Sequence, residues 1–403
     1  MDALFSPSER NVFGYLSRAF DTFVERPLSD VDSLVLSCVS YFRVPRELGG
    51  AWEGDGVSLR ELFRAEYAGE MTHGLWDPEG LSRLLALLAA SPRFRDVVMR
   101  DHVDDFSVAE DKQFSACTLD LPGGGSYVSF RGTDNTLVGW REDFNMAFET
   151  GVPSQLAATA YLERAARRAE GPLWAGGHSK GGNLAVYAAC TCDASAAAKL
   201  ERVFSHDGPG FTRETLASAG WRERSDLVSK TVPRSSLIGM LFEQQEEYAV
   251  VDSSVMGVAQ HDPFSWVVDG DAFAPVEGLG RGAGFVDEKL NQWISSMTRE
   301  EREGFVGALF SVLAAGGKDT FADLGESWQT AVPAMLRELG GLPPERREHI
   351  TRALSLLVRA AVPGIELPQL PQMPGFEPPQ FPDLVALLPG RMGSEETSPT
   401  TGG

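Results

Sequence analysis

Residues 174–187 read Trp-Ala-Gly-Gly-His-Ser-Lys-Gly-Gly-Asn-Leu-Ala-Val-Tyr, and within them Gly177-His178-Ser179-Lys180-Gly181 matches G-x-S-x-G. The flanks decide how this is read. Gly171–Ala175 is short and apolar, as a buried strand would be, and Asn183–Cys190 holds good helix formers with no breaker. A strand that passes through a Gly-rich turn straight into a helix forces the central residue of the turn into a strained conformation. A side chain at Gly177 or Gly181 would strike the adjoining strand or helix. Such a turn lifts the Ser179 hydroxyl to the top of a sheet, at the positive end of a helix that favours an oxyanion. The bland alternative is a Gly-rich turn with a capping serine. The rest of the chain separates the two.

Strands and helices alternate on both sides of this stretch. Phe106–Leu121 has broken period-two alternation, 122–125 is a Pro-Gly-Gly-Gly turn and Ser126–Phe130 is a second strand, so the pair reads as a hairpin. Ser154–Ala169 is a helix leading to the elbow strand. Leu200–Ser205, Asp226–Pro233 and Glu247–Asp252 read as strands, with Phe211–Trp221 a short helix between the first two and 235–242 an apolar segment between the last two. The Leu237–Phe242 part of that segment can line an acyl pocket, form a lid or be plain core. The alternation predicts a mostly parallel central sheet with helices on both faces, and with the G-x-S-x-G turn set in it the expected class is an α/β-hydrolase fold.

Helical additions flank this core. Arg10–Phe23, a helix started by Ser29-Asp30-Val31-Asp32, Leu59–Tyr67 and Pro78–Ala90 occupy the first hundred residues, where His73 and His102 read as surface or capping residues. Val286–Met297, Arg299–Ala314, Trp328–Leu339 and Pro344–Ala361 carry helical spacing at the other end. The division expected is therefore an N-terminal helical segment (1–100), a hydrolase core (101–280), C-terminal helices (281–362) and a tail (363–403). The tail is Pro-rich and then small and polar, with too little apolar surface to pack, so it reads as disordered; its Leu384–Leu388 could still dock. No internal repeat is visible.

With 57 acidic against 36 basic residues the formal charge is −21, which argues against nucleic acid or anionic membrane as a partner. No apolar run reaches the 18 residues of a membrane span, no secretory signal is visible, and Cys38, Cys117, Cys190 and Cys192 lack zinc spacing. Reduced thiols in a cytoplasmic protein are expected, with no metal or cofactor.

A serine hydroxyl needs a base within reach, and the base needs an orienting acid. In this fold the order is serine, acid, histidine. His206, His261 and His349 follow Ser179. His349 sits in a charged helical stretch and His206 precedes the best acid. His261, on a loop after the last strand, is the candidate base. Asp207 ends the strand after the elbow, beside Gly208, and is the leading acid; Asp226 and Asp252 remain rivals, since the acid can also stand one strand later. Asp262 adjoins His261 and is discounted. The backbone N–H of Lys180 is one expected oxyanion donor. Arg131-Gly132-Thr133 offers a strand end, a glycine for close approach and a hydroxyl, so Thr133 is the second.

Phe130-Arg131-Gly132-Thr133, with Trp140 and Asp143 following, and Gly177–Ala185 resemble the class 3 (fungal-type) lipases. The resemblance implies an α/β-hydrolase with a Ser-Asp-His triad, with Ser179 as nucleophile and Thr133 at the oxyanion. The sequence departs twice: Lys180 replaces the usual leucine, and Ser229–Pro233 lacks the family's aspartate before Val-Pro. Over residues 10–320 the chain is more similar to a bacterial branch of uncharacterised lipase-like proteins, through Val31–Ser37, Gly177–Asn183, Asp207–Phe211 and Gln260–Trp266. That likeness favours Asp207 and His261 as triad members.

The expected function is a serine ester hydrolase acting on a small-molecule or lipid acyl ester. The rivals are a non-catalytic scaffold with the Pro-rich tail as a docking arm, and an acyltransferase using the same acyl-enzyme. Substrate and oligomeric state are not legible.

Overall fold

Eight strands hydrogen-bond in sequence order into one sheet. They are β1 (Val57–Ser58), β2 (Val98–Ser107), β3 (Lys112–Asp120), β4 (Ser126–Phe130), β5 (Leu173–His178), β6 (Leu200–His206), β7 (Val228–Pro233) and β8 (Tyr248–Val251). Pairing is antiparallel from β1 to β4 and parallel from β4 to β8. The computed structural model describes residues 4–134, 136, 137–146, 149–236, 238–241, 247–279, 298–317, 328–344, 347 and 350–351.

Parallel neighbours need crossovers, and helices supply them. Pro153–Arg168 lies between β4 and β5, and Lys180–Thr191 between β5 and β6. Both pack on one face of the sheet with Phe114, Ala116, Val128, Phe130, Ala175 and Val203. The other face carries Cys117, Leu119, Tyr127 and Phe204, covered by the Asp30–Val39 helix, while Pro78–Ala90 packs against other N-terminal helices in the same core. Alternate residues of β3, β4 and β6 thus enter opposite cores. Strands apolar on both faces are what a sheet between two helical layers requires. The chain has an α/β-hydrolase fold.

The Asp30–Val39 helix begins where the sequence puts it. Ser29 accepts the Asp32 N–H while the Asp32 carboxylate accepts the Ser29 N–H, a reciprocal cap. Asp32 also holds the fully buried Arg93 at 2.6 Å. Pro78–Ala90 and Arg299–Ala314 have the expected bounds.

Other elements differ from expectation. Phe106–Leu121 is not one strand: residues 108–111 turn between β2 and β3, with Asp111 at φ 49°. Only Val12–Leu16 of Arg10–Phe23 is α-helical, capped by the Asn11 side chain. Leu59–Tyr67 divides into Leu59–Leu62 and Ala65–Thr72, and Phe211–Trp221 falls into Arg213–Leu216 and Ala219–Arg224. His73 is exposed, but His102 is not a surface residue. It is buried on β2 with its ring 4.5 Å from Trp52, and burial pushes its imidazole down to about 4. All four cysteines are buried thiols. No helix among the described residues is long and apolar enough to cross a membrane. Val286–Met297, His349, most of Pro344–Ala361 and the 363–403 tail with Leu384–Leu388 lie outside the described residues, as do Leu237 and Phe242 of the apolar segment.

Candidate active site

The parallel register of β5 and β6 pairs His178 with His206, so the next residues, Ser179 and Asp207, emerge side by side at the carboxyl edge of the sheet. Ser179 N–H donates to the His206 carbonyl at 2.9 Å, and Asp207 N–H to the Thr231 carbonyl at 2.7 Å. Both residues have positive φ, 58° and 51°, a region that costs a non-glycine residue energy and needs surrounding structure to hold it. At the elbow the cause is crowding. A Cβ on Gly177 would lie 2.2 Å from the Gly181 carbonyl carbon, and one on Gly181 would lie 2.1 Å from the Phe130 oxygen.

His261 closes a line of hydrogen bonds. Its Nδ1 is 2.7 Å from Asp207 Oδ2 and its Nε2 is 3.0 Å from Ser179 Oγ. A carboxylate only accepts, so Nδ1 carries the proton and the bare Nε2 accepts from the serine hydroxyl. Asp207 is wholly buried. Its second oxygen accepts from the Ser236 hydroxyl and, at 3.2 Å, from the Gly239 N–H. A buried carboxylate with all these donors satisfied is held in one orientation.

The His261 loop is fastened in turn. Trp266 Nε1 donates to the Gln260 carbonyl at 2.8 Å, and the Gln260 side chain ties Ser235 N–H and the Val255 carbonyl. His178 lies against the base, with ring centroids 4.7 Å apart, and its Nε2 is 2.9 Å from the His261 carbonyl. A nitrogen facing a carbonyl must be the donor, so Nδ1 of His178 accepts from the Tyr41 hydroxyl at 3.2 Å. Burial, and then the neighbouring His261, hold the His178 imidazole well below its ordinary range. It stays neutral.

Lys180 opens the Lys180–Thr191 helix, where the first N–H groups have no intrahelical acceptor. Gly132 presses against the elbow: a Cβ there would be 3.2 Å from Ser179 Cβ. The neighbouring Thr133 hydroxyl donates to Asp143. Burial raises the Asp143 carboxyl to about 6, opposed by Lys180 and by this hydrogen bond. The Lys180 ammonium is itself buried, 2.7 Å from Glu142 and 3.6 Å from Asp143.

The structure therefore brings Ser179, His261, Asp207, Lys180 and Thr133 together. It leaves the rival acids elsewhere. Asp226 is exposed in the turn that opens β7, and Asp252 faces Arg234 at 3.4 Å. His206 is buried and bonded to the Ser33 hydroxyl at 2.9 Å. Sequence reasoning missed Tyr41, Glu142, Ser236 and the part of His178. Only His178 had a signal, its place beside the serine. Among the described residues no three His, Cys, Asp or Glu side chains converge as metal ligands would.

Several solved structures are distantly similar. The M37 lipase is 11% identical, with a TM-score of 0.36 over 81% of this chain and 98% of that one. The Lip2 lipase of Yarrowia lipolytica is 12% identical, with 0.31 over 48% and 76%. A deletion mutant of the Rhizomucor miehei lipase, in a propeptide complex, is 13% identical, with 0.30 over 39% and 56%, so the chain spans little more than half of that lipase. No curated protein matches the sequence. A family model described as Mbeg1-like matches residues 88–311. That match takes in more than half of the chain, from β2 through the Ser179 elbow to the His261 loop and beyond, and the chain belongs to the Mbeg1-like family.

Proposed function

We propose that this protein is a serine ester hydrolase. One observation carries the reading: the unbroken hydrogen-bonded line Asp207–His261–Ser179, ending on a strained turn at a helix N-terminus. A scaffold has no use for such a line.

Ser179 Oγ attacks an acyl carbonyl carbon as its proton passes to His261 Nε2. The imidazolium that forms is oriented and stabilised by Asp207, which stays ionised. The carbonyl oxygen becomes an oxyanion held by the backbone N–H groups of Lys180 and Thr133; the Thr133 hydroxyl proton is engaged with Asp143. Collapse expels the alcohol, which takes the proton from His261, and leaves an acyl-enzyme. Water, deprotonated by His261, then releases the acid and frees Ser179. Within this reading the protein is a cytoplasmic member of the bacterial lipase-like branch, and its substrate is a small-molecule or lipid acyl ester.

The test is labelling by a fluorophosphonate probe, followed by turnover of p-nitrophenyl butyrate. The wild type is expected to label at Ser179 and turn over, and Ser179→Ala to do neither. A folded wild type that neither labels nor turns over would leave the scaffold reading. Transfer of the acyl group to an added alcohol in preference to water would favour the acyltransferase.

A further inference from the structure

Lys180 is an unexpected residue to bury beside a nucleophile. Its side chain is 1% exposed and that of its partner Glu142 is 0% exposed, with Nζ and Oε2 2.7 Å apart. Glu142 collects further donors: Gln113 N–H at 3.0 Å and the Ser154 hydroxyl at 2.7 Å on Oε2, and Ser154 N–H at 2.8 Å on Oε1. The next residue, Asp143, accepts from Thr133 and stands 3.6 Å from the Lys180 ammonium. Two adjacent carboxylates on the Leu137–Asn145 helix thus reach both residues proposed above as backbone donors to the oxyanion. One is reached through the lysine side chain, the other through the threonine hydroxyl.

Stability does not explain this choice. A buried ion pair gains little over apolar residues of the same volume, because desolvating both charges offsets their attraction. The pair does have one property an apolar side chain lacks: a directional tie between the helix that starts at the elbow and the Leu137–Asn145 helix, whose Asp143 accepts from the Thr133 hydroxyl. Oxyanion stabilisation depends on donors already aimed before charge develops, so such a tie acts on the transition state.

We propose that the Lys180–Glu142 ion pair is a positioning device that fixes the spacing of the two oxyanion donors. This rests on the hydrolase reading above. Lys180 contributes its backbone N–H to the hole; its side chain and Glu142 are positioning groups.

Lys180→Met keeps the N–H and most of the volume but strands a buried carboxylate. The informative variant is therefore Lys180→Met/Glu142→Gln, which removes both charges, with Glu142→Asp beside it to keep the charge and shorten the reach. Each is measured by circular-dichroism melting, by kcat and KM on p-nitrophenyl butyrate, and by the inhibition constant of a trifluoromethyl ketone, whose hemiketal oxyanion occupies the hole. The expected result is a cooperatively folded double variant with kcat at least tenfold lower and KM within twofold. The ketone should bind weaker by the same factor as kcat falls. A folded double variant with kcat within twofold of wild type, or with unchanged ketone binding, overturns the proposal. So does failure of both variants to fold, which would make the pair purely structural. Absence of turnover and of Ser179 labelling in the wild type would instead remove the hydrolase reading, and the proposal with it, before any variant is made.

Discussion

The Tyr41 hydroxyl donates to His178 Nδ1, and through that ring an N-terminal helical segment reaches the candidate base. The tyrosine follows the Asp30–Val39 helix and is buried. With Nδ1 acting as acceptor, His178 is fixed as the tautomer that donates to the His261 carbonyl. Tyr41→Phe removes one oxygen and leaves the packing in place. A buried hydrogen bond contributes about 1 kcal/mol, so kcat on p-nitrophenyl butyrate is expected to fall roughly fivefold, with KM little changed. An unchanged kcat in a folded variant would show that the His261 loop holds its place without this contact.

Asp207 is the acid that faces His261, and the consequence of removing its charge is specific. Asparagine in its place could donate to His261 Nδ1 and so favour the tautomer with its proton on Nε2, which cannot accept from Ser179. The comparable loss in serine proteases is on the order of ten-thousandfold, and Asp207→Asn is expected to approach it. Asp226→Asn and Asp252→Asn should stay within twofold of wild type. A large loss in either of those, with Asp207→Asn active, would reassign the acid.

The Asp143 carboxyl titrates near pH 6 in the folded protein, against an ordinary value of 3.8, because burial disfavours its charge. A carboxyl raised in this way favours folding when protonated. Its contribution is full below about pH 4, where the unfolded chain also holds the proton, and is lost as pH rises to about 6. Replacing it with asparagine removes that dependence. Melting temperatures of wild type and Asp143→Asn, compared from pH 4 to pH 7, should diverge, with the wild type losing stability relative to the variant as pH rises. Parallel curves would place the titration elsewhere.

The elbow was legible because steric necessity leaves a local mark: glycines at fixed offsets from a serine, with a strand before and a helix after. Asp207 was legible as a strand end, which the register of β5 and β6 brings beside Ser179, and His261 through chain order and its place on a loop after the last strand. The reading failed where structure depends on distant partners. Nothing near Glu142 in sequence says that it will meet Lys180, and nothing near Tyr41 says that it will meet His178. His102 looked like a surface residue because its burial depends on Trp52, which reaches it from another element. The β2–β3 turn is where period-two alternation stops, at the three successive charged residues Glu110-Asp111-Lys112, and that polarity was the better signal.

The C-terminal helix Arg299–Ala314 packs on the helix that carries Glu142 and Asp143. Phe310 meets Phe144 edge to face with centroids 5.8 Å apart, and Leu137 joins Phe305 and Leu309 in the same cluster. Phe310 is 6% exposed. Truncating a buried phenylalanine to alanine costs about 3–5 kcal/mol; in a cluster of this size the lower end applies. If the helix only covers apolar surface, Phe310→Ala lowers the melting temperature and leaves kcat alone at temperatures where the variant is folded. If it also braces the two carboxylates, kcat falls severalfold with KM unchanged, and the same trifluoromethyl ketone binds more weakly. The second outcome is expected, because Leu137–Asn145 is only nine residues long and Asp143 and Glu142 lie in its last turn, where an isolated helix frays. Measuring kcat well below the melting transition of the variant separates the two.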